Sequence, residues 1–154
     1  MTFFSKVLFA GAALAVLPAA GFAACPSYDN PGAPLSYTDE QVWSPQAHSV
    51  TAGGNINLAE CASIPGIGYI VESPDFTLQY QNVTAGRALE FRVDAACDTV
   101  ILVNTASGEW VFNDDTNGLN PAVRIASAPD GRYDVWVGTL GNSTCAAQLI
   151  LESF

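Results

Sequence analysis

The chain has 154 residues, 49% hydrophobic and 13% charged, and its 15 acidic and five basic residues give a formal net charge of −10. That length is one domain's worth, and the apolar share excludes a disordered acidic tail. The four arginines are scattered and the one lysine is Lys6, so the clustered positive charge that nucleic acid or an anionic membrane surface requires is absent.

Residues 1–23 read as an address. Lys6 supplies a positive start, and Val7 to Leu17 is an apolar run of 11 residues, too short to span a bilayer. Pro18 breaks the run, and Gly21 and Ala23 are the small residues that a signal peptidase reads. A secretory signal peptide cleaved after Ala23 is expected. Phe22-Ala23-Ala24-Cys25 also has the outline of a degraded lipoprotein box. Lipid on Cys25 would leave an odd thiol among Cys25, Cys61, Cys97 and Cys145, which argues against anchoring. The expected location is therefore secreted or periplasmic. In an oxidising compartment the four cysteines form two disulfides, with three connectivities open. Cys25–Cys61 and Cys97–Cys145 are the favoured pairs: the first ties the leader to the body and the second joins two strand ends. Zinc is disfavoured, because there is no CxxC spacing and His48 is the one histidine.

Residues 24–45 carry Pro26, Pro31, Pro34 and Pro45, and read as an extended leader pinned by Tyr28, Tyr37 or Trp43. Residues 46–154 then read as a β domain. Candidate strands are 47–51, 56–59, 68–72, 75–81, 87–95, 99–104, 109–113, 122–126, 131–138 and 145–152. Leu89, Phe91 and Val93 share one face against Glu90, Arg92 and Asp94, and Tyr133, Val135 and Val137 alternate against Asp134. Turn residues such as Pro129-Asp130-Gly131 and Gly141-Asn142-Ser143 separate the runs. Beyond the signal no long helical period appears. The expectation is an all-β, antiparallel β-sandwich of jelly-roll or Greek-key type, with about eight strands.

Three groups of side chains could carry function. Asn113, Asp114, Asp115, Thr116, Asn117 and Gly118 form the densest cluster of oxygen donors, which Asp98 approaches if the strands 99–104 and 109–113 form a hairpin. Calcium takes six to eight oxygens, so this set is a candidate site, although Asx side chains capping their own turn explain the same residues. Trp110 and Trp136 are candidates for stacking on a sugar face, against the alternative that they cover the core. His48 is the only available imidazole for a catalytic triad. Neither a GxSxG elbow nor a Gly-Asp-Ser-Gly stretch accompanies it, so no catalytic residue is assigned. No pair of acids is marked for glycoside hydrolysis either.

Ala88 to Val93, Cys97 to Val103, Gly108-Glu109-Trp110, Asn113 to Leu119 and Gly131 to Gly138 follow one pattern. Over residues 86–152 it resembles the bacterial pre-peptidase C-terminal domain, a small β-sandwich appended to secreted proteases. The whole chain also resembles short exported alphaproteobacterial proteins, some of which are named as serine (S1) peptidases. The first resemblance implies a noncatalytic module that serves secretion, targeting or polymer binding, in some cases with calcium. The expected function is a secreted or periplasmic binding or accessory module. Its partner would be an extracellular or periplasmic protein or polysaccharide. A peptidase-like hydrolase using His48 and a purely structural envelope protein are the alternatives.

Overall fold

The computed structural model describes residues 24–154, so the signal-peptide expectation for 1–23 lies outside the described residues. Eleven strands follow in chain order. They are β1 (Ala33–Thr38), β2 (Gln46–Ala52), β3 (Ile56–Asn57), β4 (Tyr69–Ile70), β5 (Phe76–Gln81), β6 (Leu89–Ala95), β7 (Thr99–Asn104), β8 (Trp110–Asn113), β9 (Ala122–Ile125), β10 (Gly131–Thr139) and β11 (Cys145–Ser153). Two short 3-10 turns, Gln41–Trp43 and Leu58–Glu60, are the helical pieces among the described residues.

The strands form a β-sandwich with a seven-stranded and a four-stranded sheet. In the larger sheet β10 is central. Val135 lies opposite both Phe76 and Val103, so β5 and β7 flank it on opposite sides. Beyond the end of β5, β4 takes up the same side of β10 at Thr139. The smaller sheet runs β2-β11-β6-β9. Pairing is antiparallel throughout, except that β1 runs parallel to β5.

That exception revises the sequence reading of the leader. Ala33–Thr38 is a strand of the larger sheet, and Gln41–Trp43 turns the chain towards the smaller one. Pro34 lacks only an N–H, which a strand at the rim of a sheet can spare. All ten candidate strands are present, and β1, read from sequence as part of the leader, brings the count to eleven.

The main core lies between the sheets, built from Leu78, Phe91, Ile101, Tyr133, Val135 and Leu149. A second core covers the outer face of the larger sheet, where Ile56, Leu58, Cys61, Ile70, Val100, Leu102 and Trp136 pack. β7 is buried at all six positions, and its central residues 100–103 are an unbroken apolar run, as expected when both faces of a strand are covered. Close approach makes this layer possible. A Cβ on Gly138 would lie 2.5 Å from the Tyr69 carbonyl oxygen, so β4 can lie against β10 only beside a glycine.

The cysteines pair as favoured from sequence, with Cα–Cα distances of 5.8 Å for Cys25–Cys61 and 6.6 Å for Cys97–Cys145. The first pair ties the tail onto the second core. The other joins the end of β6 to the start of β11. Among the described residues no helix is long and apolar enough to cross a membrane.

Candidate functional site

The tail of residues 24–32 is bound to the sandwich by its backbone. The Ser27 N–H donates to the Glu72 carbonyl at 2.9 Å, and the Gly32 N–H donates to Thr77 Oγ1 at 3.0 Å. A Cβ on Gly32 would come within 2.3 Å of the Pro74 carbonyl oxygen, so the tail passes hard against the start of β5. This course places Tyr28 beside β8. The residue is 46% exposed, and its ring lies 5.9 Å from the Trp110 ring. Trp110 in turn lies 5.3 Å from Trp136. The three rings run from the surface into the second core.

A cleft of about 300 Å³ opens beside Tyr28, lined by Tyr28, Asn104, Thr105, Ala106, Gly108, Arg132 and Asp134. Its polar groups are held in place. Asp134 is 2% exposed and accepts a hydrogen bond from Thr77 Oγ1 at 2.6 Å. Arg132 meets the same carboxylate through Nε at 2.8 Å, and its Nη2 donates to the Tyr28 carbonyl at 2.7 Å. Thr105 Oγ1 accepts the Glu109 N–H at 3.1 Å, in the tight turn between β7 and β8. This floor is pre-organised: a guanidinium, an amide and hydroxyls beside an exposed aromatic face.

Of the two tryptophans predicted to bind, neither lines this cleft: Trp110 packs behind the Tyr28 ring and Trp136 lies deeper. Trp136 is 0% exposed, and its Nε1–H donates to the Glu72 carbonyl at 3.2 Å. Its alternation away from Val135 and Val137 is real, but the face it points to is covered by a second core. A sugar cannot stack on a buried ring, so its place here is structural. The same covering explains Asp134, which the alternation put on a wet face and which the structure buries, paired to the partly exposed Arg132.

The acidic loop is built as a self-capped turn. Asn113 Oδ1 accepts from Thr116 Oγ1 at 2.8 Å and from the Ala122 N–H at 3.0 Å, which occupies both its lone pairs. Asn117 and Asn120 form a small bridge. Asp114 and Asp115 stand on the loop, and Asp98 follows Cys97 at the approach to β7. Among the described residues no three His, Cys, Asp or Glu side chains gather as a metal-holding group. Of the expected set of Asp98, Asn113, Asp114, Asp115 and Asn117, Asn113 spends its Oδ1 on the turn itself.

His48 lies on β2, pointing between the sheets. Its Nε2 is 3.3 Å from the Tyr37 hydroxyl, and its ring is 5.7 Å from Phe76. Loss of water around the ring holds its pKa below the ordinary histidine value. Its hydrogen bonding involves neither a carboxylate nor a serine hydroxyl. An imidazole so placed closes the seam between β1 and β2.

Sequence reasoning missed Asn104, Thr105 and Arg132, and gave Tyr28 only a pinning role. Nothing in their local pattern marks them, because the cleft forms where the tail crosses the β7–β8 turn.

No protein-family model matches the chain, and no curated protein matches it. Among solved structures the chain is similar to the pre-peptidase C-terminal domain of a collagenase from Bacillus anthracis. The identity is 15%, 80% of this chain and 99% of that chain are covered, and the TM-score is 0.43. It is also similar to a periplasmic inhibitor of g-type lysozyme from Aeromonas hydrophila, at 10% identity, with 80% and 99% of the two chains covered and a TM-score of 0.40. The first is a domain of the family that residues 86–152 resemble.

Proposed function

We propose that the chain is a noncatalytic binding module working outside the cytoplasm, and that it holds a glycan in the Tyr28–Arg132 cleft. One observation carries this reading: an exposed aromatic face beside polar groups whose positions are already fixed. A flat ring covers the apolar face of a sugar, while amides, hydroxyls and a guanidinium meet its hydroxyls. Fixing Arg132 on Asp134 lowers the ordering cost of binding. The two cysteine pairs suit an oxidising compartment. No nucleophile–base pair is hydrogen-bonded at the cleft, so the reading is binding without turnover.

Screening the full chain on a glycan array, followed by calorimetry with the best soluble oligosaccharide, tests the proposal. Tyr28→Ala is expected to weaken binding about 10-fold, equivalent to about 1.4 kcal/mol. No bound glycan, or full affinity in Tyr28→Ala, overturns it.

A further inference from the structure

β2 is a seven-residue strand at the rim of the smaller sheet, paired along its whole length with β11 on one side. Among the described residues no strand pairs with its other side. Such an edge is a row of open donors and acceptors, and folded proteins guard edges with charge, proline or shortness. The other rims of this sandwich follow that rule. β1 carries Pro34. β9 has four residues, including Arg124. β8 also has four and runs into Asp114 and Asp115. β2 has none of these guards: it reads Gln-Ala-His-Ser-Val-Thr-Ala, and its outward-facing residues Ala47, Ser49 and Thr51 are small and exposed.

The charge pattern selects the occupant. No Asp, Glu, Lys or Arg lies between Glu40 and Glu60. In a chain of net charge −10, two copies repel each other over most of their surface, and this stretch is where they can meet without opposed charges. The strand is also self-complementary. Antiparallel pairing of two copies about a twofold axis at Ser49 sets Ala47 opposite Thr51 and His48 opposite Val50 of the second copy. Ser49 then meets Ser49, and no like charges face each other.

We propose that β2 pairs with β2 of a second copy, joining the two four-stranded sheets into one continuous sheet through a twofold dimer. Sedimentation of the oxidised full chain over a concentration series tests this. The expected result is a monomer–dimer equilibrium that Ser49→Lys, which puts two ammonium groups face to face on the outer surface, shifts to monomer. Ser49→Cys reports the register independently, because mild oxidation should give an inter-chain disulfide through position 49. A chain that sediments as a monomer at its highest soluble concentration overturns the proposal. So does a dimer unaffected by Ser49→Lys, or a dimer that gives no inter-chain link at position 49.

Discussion

Asp39 shows how one buried acid can hold two segments together. It is 0% exposed, between β1 and the Gln41–Trp43 turn. Its Oδ1 accepts the Val83 N–H at 2.8 Å, Thr84 Oγ1 donates to Oδ2, and Arg87 Nε lies 3.4 Å away. Arg87 also covers the Trp43 ring at 3.8 Å. Burial by itself would raise the pKa of this carboxyl. The hydrogen bonds from Thr84 and Val83 outweigh that and hold it below the ordinary value of 3.8. A lowered pKa means that the ionised form stabilises the fold. The contribution is complete above pH 3.8 and is lost as the pH falls through the depressed value. Asp39→Ala leaves the Val83 N–H and Arg87 without their acceptor and is expected to cost about 2–4 kcal/mol at pH 7. Urea unfolding should show the gap from the parent chain narrowing below pH 3.8.

At the level of elements, β10 has a gap that a side chain fills. β5 pairs with it up to Val135, and β4 resumes only at Thr139. The Val137 N–H falls between them and donates to Asp75 Oδ2 at 2.7 Å. Asp75 ends the loop before β5, so one carboxylate replaces the missing strand. Burial raises its pKa to about 7, against a smaller lowering by the Val137 hydrogen bond. The sign is opposite to that of Asp39. The folded state holds this proton more tightly than the unfolded chain, so stability from Asp75 falls as the pH rises from 3.8 to about 7. Asp75→Asn keeps an acceptor for Val137 and carries no charge. It is expected to match the parent near pH 4 and to exceed it in melting temperature above pH 7. A variant less stable than the parent at pH 8 would contradict the assignment.

For the whole molecule, the second core makes the sandwich three-layered over part of its area. Its cover consists of β3, β4, the Leu58–Glu60 turn and the tail carrying Cys25, none long enough to stand alone. Cys25–Cys61 closes a loop with a sequence separation of 36 and clips that cover in place. Its removal should release chain entropy worth about 4 kcal/mol, as an upper value. Cys25→Ser combined with Cys61→Ser is expected to lower the melting temperature by roughly 10 °C. The same variant should shift tryptophan emission to the red as water reaches Trp136. Unchanged emission would mean that the cover stays closed without its clip. Tyr28 sits three residues beyond Cys25, so the glycan site proposed above depends on the same clip.

The amino-acid pattern alone determined the β-sandwich, because alternation at positions such as Leu89, Phe91 and Val93 has one solution that buries an apolar face. It also favoured the cysteine pairing and the self-capping alternative at Asn113, since both depend on spacings of a few residues or on which strand ends can meet. The second core is different. Asp134 and Trp136 were legible as facing away from Val135, but whether that face meets water is decided by β3, β4 and the tail, which arrive from distant sequence. The Tyr28–Arg132 cleft belongs with it: residues 28 and 132 carry no mark of each other in the chain, and only the packing of the tail across the β7–β8 turn brings them together. Local periodicity encodes which side a residue takes within its own strand. What covers that side is a tertiary fact, set by chain segments far away in sequence.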